Sequence, residues 1–431
     1  MFWFLIYNIF FVPVFWLYFR IISVFNAKVR AGIAGRQKTF TLLKNLPPGY
    51  FKSKRTILIH SSSLGEYQQA IPIIEQLNKY NINIIVSFFS PSGYENARLV
   101  SDSILKIYLP FDSCRLIKKF LNLINPSIIF FVRYDLWFNL IYLSKKKKIK
   151  TIIANARFDE RKIYWKLPFL KSFARYLYGL FDKLYVIDEE DRNNFIKALK
   201  GYKTEIIKVG DSKFERVYQA SENIRISDDI ISSHIYKNKK VFVVGSSWKD
   251  DEEIIFPVLD KIAEYERNLL TILVPHEPKE TKIVLIEKNI KTKYKNLKSI
   301  RYSDIDKYKN ENIIIVDSVG KLLSLYSVAD ISYVGGGLRT GLHNILEPAV
   351  FGMPVYFAND VTNSDEDKLL IEKGVGFTVK NQKQFYKEFR KILSDEHMRN
   401  QIAEKCKEIF KDSLGATEKI ISTLKQMEYI N

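Results

Sequence analysis

The sequence predicts an α/β protein of two Rossmann-like domains facing each other across a central cleft, behind an N-terminal membrane-anchor helix. Three observations carry that expectation. Short β-branched runs alternate with amphipathic stretches from Arg55 onward; the alternation fades between Gly210 and Lys240 and then restarts; and the first 19 residues carry no charge. Short apolar runs alternating with helical patterns are the mark of buried parallel strands. A chain of 431 residues also exceeds the ~250–300 residues at which single cores stop growing, which favours two domains.

The opening "MFWFLIYNIFFVPVFWLYF" is uncharged, and its apolar character resumes after Arg20 as far as Phe25. A membrane crossing needs ~20 such residues. There is no basic leader and no small-residue cleavage site, which argues against a removed signal peptide. Lys28, Arg30, Arg36, Lys38 and Lys44 follow directly, and such a cluster places the remainder in the cytoplasm. Pro13 is a candidate kink, and the aromatic load equally suits a helix lying in the membrane interface. Both geometries stay open for residues 1–26.

In the first half, "RTILIHSSS", "INIIVSFFS", "ILKIYLP", "PSIIFFV", "KTIIANA", "KLYVID" and "EIIKVGD" read as strands, with "EYQQAIPIIEQLNKY" a helix between the first two. This is the rhythm of a doubly wound sheet. The polar stretch from Asp211 to Lys240 reads as a connection with one helix. The second half restarts with "VFVVGSS", "LLTILVP", "NIIIVDS", "ISYVGGG" and "PVYF". The last segment, from Glu366, reads as helical and free to cross back to the first domain.

Apolar residues make up 47% and charged residues 27%, with 30 Phe and 25 Tyr; that balance excludes a disordered chain. Net charge is +19, and its dispersal along the chain suits polyanionic ligands or an anionic membrane surface. A nucleic-acid binder would cluster cations with stacking aromatics on one face, so no nucleic-acid partner is expected. Cys114 and Cys406 have no metal-ligand spacing. Asp228-Asp229 and Asp250-Asp251 read as solvated helix starts, and His234 and His397 as surface residues. Neither a metal nor a cofactor is expected.

In an open α/β sheet, ligands sit beyond the carboxyl ends of the strands. "HSSSLGEYQQA" is such a strand-to-helix loop, and Glu66 in it can either complement the helix dipole or accept a proton from an alcohol. "SYVGGGLRTGLHNILEPAVFGMPVYF" is another: Gly335, Gly336 and Gly337 open the backbone to an anion. Asn344 and Glu347 are three apart, on one helical face, where a carboxylate suits a ribose diol and would repel phosphate.

"HSSSLGE", "ANARFDER", "GDSKFE", "LVPHEPKE", "DSVGKLLSLYSVAD" and "VGGGLRTGLHNILEPAVFGMPV" occur in the same order and similar spacing as in the membrane-associated Kdo transferases of lipopolysaccharide synthesis. The chain resembles that family over nearly its whole length. The resemblance implies a GT-B glycosyltransferase, with an acceptor domain over residues 27–215 and a CMP-sugar domain over 216–431. It implies transfer of 3-deoxy-D-manno-octulosonic acid (Kdo) from CMP-Kdo to a lipid A precursor, with inversion, at the cytoplasmic side of the cell inner membrane. By the same resemblance Glu66 is the catalytic base, and Lys213 stabilises charge in the transition state. The CMP contacts fall on Pro275 and His276, on Val319, Gly320 and Lys321, and on Asn344, Ile345, Leu346 and Glu347, with Gly336, Gly337 and His343 beside them. The anionic inner leaflet is the expected membrane partner.

Three positions depart from the family pattern. Arg133, in "VRYDLWFN", stands where relatives carry an acid; an arginine there suits a substrate carboxylate or phosphate, and Asp135 preserves a second acid. His276 replaces the usual arginine. Thr340-Gly341-Leu342-His343 stands for a Gly-Gly-His triplet. The rival reading is another GT-B enzyme that uses a UDP-sugar, as glycosyltransferase or epimerase, since fold does not fix function.

Overall fold

The computed structural model describes residues 2–225, 230–338, 341–358 and 365–430; Asp228, Asp229 and Thr340 lie outside them. The chain divides into two compact units, Met1–Arg216 with Ser413–Asn431, and Val217–Asp412.

The first unit holds a seven-stranded sheet of β1 (Thr56–Ser61), β2 (Asn83–Phe88), β3 (Leu105–Tyr108), β4 (Ile128–Val132), β5 (Lys150–Ala156), β6 (Lys183–Val186) and β7 (Glu205–Lys208). The order is β3-β2-β1-β4-β5-β6-β7, with every pairing parallel. Helices cover both faces, so β1, β2 and β4 are buried along their whole length. That explains why they read as continuous apolar runs instead of alternating ones. Strand order reverses between β1 and β4, and the loops after these two strands flank the crevice where such sheets bind ligands.

Residues Phe2–Phe25 form one helix long and apolar enough to cross a membrane. Its turn at Tyr7–Phe11 is a π-helix, the local adjustment that lets a helix accommodate a proline such as Pro13. One face of this helix is docked on the first unit. Trp3 meets Phe169 and Phe173, and Tyr7 meets Phe138. The Tyr7 hydroxyl donates to Asp112 at 2.8 Å, and the amides of Asn8 and Asn139 exchange hydrogen bonds at 2.9 Å. The other face, including Phe10, Val14, Leu17, Ile21 and Val24, is exposed. Asn26 ends the helix and caps the next, Ala27–Lys44, by accepting from Lys28 N and Val29 N. That helix lies so close to β3 that a side chain at Gly35 would meet the Tyr108 ring at 2.3 Å. Arg36, grouped above with the membrane-flanking cations, is buried here over Phe89.

The helix Ala416–Gln426 belongs to the first unit, with Ile420 and Leu424 in the same core as Ile73 and Ile74. Glu215 ties it down by accepting from Gly415 N at 2.8 Å and Thr417 N at 3.0 Å.

The second unit repeats the architecture with β8 (Lys240–Ser247), β9 (Leu269–Pro275), β10 (Ser299–Arg301), β11 (Ile313–Ile315), β12 (Ile331–Val334), β13 (Val355–Ala358) and β14 (Gly376–Val379). The order is β10-β11-β9-β8-β12-β13-β14, again all parallel. The reversal lies between β8 and β12, so the Ser247-Trp248 loop and the Gly335–Gly337 loop flank it. β14 corrects the expectation of an all-helical segment after Glu366: "GFTV" is too short and too glycine-flanked to announce itself, yet it completes the sheet edge beside β13.

Candidate active site

β1 ends at Ser61, and the helix Leu64–Leu77 begins after two intervening residues, so the loop between them lies at the crevice end of the strand. Ser63 caps the helix. Its hydroxyl accepts from Glu66 N at 3.4 Å, and Glu66 Oε2 accepts from Ser63 N at 3.2 Å and from Ser62 N. This reciprocal box satisfies helix-end donors. It engages one carboxylate oxygen only; Oε1 receives no hydrogen bond among the described residues. Of the two readings of Glu66, the structure shows the capping one; the other oxygen is left without a hydrogen bond among the described residues. Burial raises the Glu66 pKa, the nearby Asp135 charge raises it further, and His60 with the two backbone amides opposes them.

Asp135 follows β4 and sits over the end of β1. Its Oδ2 is 2.8 Å from Nε2 of the fully buried His60 and accepts from Trp137 Nε1 at 2.8 Å. His60 Nδ1 lies 3.0 Å from Ser87 Oγ. Burial alone would raise the Asp135 pKa, but the hydrogen bonds and charge from His60, with those from Trp137 and Ser62, hold it below the usual value. The role of His60 was not legible locally; a polar residue closing a buried strand was its only sign.

Arg133 adopts φ 61°, the left-handed region, which for a long side chain marks a position fixed by its surroundings. Its guanidinium is 3.8 Å from Asp211 Oδ2, and Asp211 Oδ1 accepts from Lys213 N at 2.8 Å. Asp211 thus pairs with the Arg133 guanidinium and holds the backbone of Lys213. Ser212 between them is pinned by donating to Gln69 O at 2.6 Å and accepting from Asn155 Nδ2 at 2.6 Å. Gln69 lies one turn past Glu66, so the helix that carries Glu66 is tied to the Asp211–Lys213 turn within the first unit.

In the second unit, Gly335 packs where a Cβ would lie 2.4 Å from Ser246 O, and Gly336 has φ +94°. Asp251 organises this loop. It is fully buried and accepts from Tyr333 OH at 2.7 Å, Trp248 N at 2.9 Å and Gly336 N at 3.2 Å. The solvated helix start expected there is corrected: Asp251 is a buried staple, and the Gly336 amide expected to meet a ligand is already held by it. Gly337 packs against Ala358.

His276 stacks between Trp248 and His343, at ring separations of 4.6 and 4.5 Å. Burial lowers the His343 pKa, and His276 lowers it further. Its Nε2 is buried without a partner, so His343 is a neutral wall at pH 7 and no phosphate cation. Asn344 Nδ2 donates to Glu347 Oε1 at 3.1 Å. The helix there is only Leu346–Ala349, so Asn344 precedes it instead of sharing its face. Ile345 and Leu346 are buried and anchor the turn, and Pro275 is the buried end of β9. Val319 is 79% exposed, Gly320 has φ +81°, and Lys321 Nζ lies over the Tyr302 ring at 4.9 Å. The structure brings Trp248, His276, Gly336 and His343 together; Val319 to Lys321 form a separate loop after β11. Among the described residues, no group of three His, Cys, Asp or Glu side chains is placed to hold a metal.

Residues 34–216 match the family model for 3-deoxy-D-manno-octulosonic-acid transferase. A 3-deoxy-D-manno-octulosonic acid transferase of Haemophilus influenzae is 26% identical over 96% of this chain and 95% of its own length. A bifunctional glycosyltransferase/methyltransferase of Fusobacterium nucleatum is 32% identical over 85% of this chain, which spans only 57% of that relative. UDP-GlcNAc 2-epimerase from Neisseria meningitidis, solved with UDP-GlcNAc, superposes with a TM-score of 0.60 at 15% identity, over 86% of this chain and all of that one. That likeness concerns the fold alone, and it matches the two-domain GT-B architecture.

Proposed function

We propose that the chain, whose residues 34–216 match the 3-deoxy-D-manno-octulosonic-acid transferase model, is an inverting glycosyltransferase moving Kdo from CMP-Kdo to a lipid A precursor at the cytoplasmic face of the inner membrane. The observation that carries this reading is the Glu66 carboxylate: one oxygen capped, one without a hydrogen bond, beside the switch point of the first sheet. A base works best when its pKa approaches the working pH, and burial beside Asp135 moves Glu66 in that direction.

In the proposed reaction, Glu66 Oε1 takes the proton of the acceptor hydroxyl. The acceptor oxygen bonds to the anomeric carbon from the face opposite CMP, and the bond from that carbon to the CMP oxygen breaks with its electron pair leaving on the phosphate. Lys213 and Arg133 meet the carboxylate and phosphate charges of the substrates, as guanidinium and ammonium groups do. The ring pair His276 and His343, with Glu347 as ribose acceptor, holds the nucleotide, and Lys321 supplies positive charge for its phosphate. The exposed face of Phe2–Phe25 lies in the bilayer interface while its other face stays docked, a geometry suited to an amphipathic anchor.

The test is to incubate purified protein with CMP-Kdo and a lipid A precursor in detergent micelles and weigh the lipid product. A mass increase of one or more Kdo residues supports the reading. Product formation from a UDP-sugar, with none from CMP-Kdo, overturns it.

A further inference from the structure

A cavity of ≈ 190 Å³ opens in the first unit between the two N-terminal helices and the loop after β3. Its wall is apolar: Trp16 and Phe19 from the first helix, Ile33 and Phe40 from the second, Phe111 and Leu116 from beyond β3. An engineered apolar cavity of about 150 Å³ takes benzene, so this one is large enough for a short run of methylene groups. Trp16 also belongs to the exposed apolar surface of Phe2–Phe25, so the cavity adjoins the face that suits a bilayer.

Two cations border this apolar space. Arg20 is exposed, but Arg36 is only 8% exposed. Arg36 forms no ion pair among the described residues; it donates to Phe89 O, stacks over the Phe89 ring at 4.1 Å, and its buried Nε meets no acceptor. A buried, unpaired charge is costly unless an anion joins it. Beyond Arg36, Phe89 stacks on Trp137 at 4.5 Å, and Trp137 donates to Asp135. The cavity is thus linked by packed rings to the group beside Glu66.

We propose that this cavity holds part of one acyl chain of the lipid acceptor, with Arg36 facing an anionic group of the same molecule. The proposal rests on the transferase reading and specifies how its acceptor is held: chain between the helices, charged head toward Arg36, sugar hydroxyl toward Glu66. Apolar lining selects the chain, and the unpaired guanidinium selects a phosphorylated lipid over a neutral one.

Ile33→Phe and Leu116→Phe narrow the cavity without touching Arg36, and Arg36→Lys keeps a charge while losing the planar fork. For either narrowing variant the ratio of KM on acylated acceptor to KM on its fully deacylated glycan should rise about tenfold, the loss expected from excluding a few methylene groups. A ratio equal to wild type would overturn the assignment. A second measurement stands apart from turnover: a tetradecyl phosphate with a diazirine on its tail, irradiated with the full-length protein in micelles. Label in residues 33–40 and 110–116, reduced in Ile33→Phe and by added lipid A precursor, supports the cavity even if no sugar is transferred, in which case only the transferase reading falls. Label confined to Phe2–Phe25, or displaced equally well by phosphatidylglycerol, overturns the acceptor-chain assignment.

Discussion

Nε2 of the buried His60 lies 2.8 Å from Oδ2 of Asp135, and both partners act on the charge of Glu66. Asp135 stays ionised because His60 and Trp137 donate to it; burial first, and then the ionised Asp135, raise the pKa of the neighbouring, half-buried Glu66, with His60 opposing. One carboxylate is stabilised as an anion so that the other becomes a stronger base.

Glu66→Gln should abolish transfer by at least about a hundredfold in kcat while leaving CMP binding intact. The amide oxygen of Gln can still cap the helix, so thermal stability should stay near wild type. Near-normal turnover of this variant in the CMP-Kdo assay would remove Glu66 from the role of base.

The acid limb of kcat/KM against pH should lie above the ~4.3 of an ordinary glutamate, since Glu66 must be unprotonated to act and its pKa is raised. Activity falls as pH drops through that raised value. Residual activity of Glu66→Gln should lack the limb; its persistence there would assign it to another group.

Glu347→Ala should weaken CMP binding by ~1.5–3 kcal/mol, the range for a hydrogen bond to a charged group. Calorimetric titration of CMP would read this as a roughly ten- to hundredfold rise in Kd. The variant also frees the Asn344 amide from its 3.1 Å partner, so Asn344→Ala is the control for a purely local rearrangement.

Gly336→Ala should cost about 1–3 kcal/mol through its left-handed backbone, because φ is +94° and the added carbon would meet Gly341 O at 2.7 Å and the His343 ring at 2.8 Å. Urea denaturation measures the loss, and CMP should then protect the variant less against heating.

Glu252 offers a stability test. Burial is the main cause that lifts its pKa from 4.5 to about 7, despite the hydrogen bond from Ser247. The folded state binds this proton more tightly than the unfolded chain, so its contribution is full below pH ~4.5 and is lost as pH rises through about 7, about 3 kcal/mol in all. Glu252→Gln should therefore be more stable than wild type at pH 8, with the advantage shrinking toward pH 5 in thermal unfolding. Parallel stability curves would mean that Glu252 titrates normally.

Much of the fold was legible because parallel strands buried on both faces need unbroken apolar runs, and "TILIHS", "NIIVSF" and "VFVVGSS" supply them. β10 and β14 escaped because a three- or four-residue edge strand has too little pattern to stand out. At the candidate site, Glu66 stood out from its place after a strand and the glycines from their clustering. The buried state of Asp251 was hidden, since its partners Tyr333 and Gly336 lie 82 and 85 residues away. Arg36 was hidden for the same reason: nothing near it in the chain announces Phe89 or Tyr108. Local chemistry tells which residues can react, and only tertiary packing tells which charges lose their water.

The helix Ala416–Gln426 fills a place in the first unit's core, although nearly two hundred residues of the second unit, Val217–Asp412, intervene. During synthesis, the early half must wait with Ile73 and Ile74 incompletely covered until residues 416–426 have been made. The later half has by then emerged entire. The order of completion is thereby inverted relative to the order of translation, and a nascent chain stalled before residue 413 would carry a finished second unit joined to an unsealed first one.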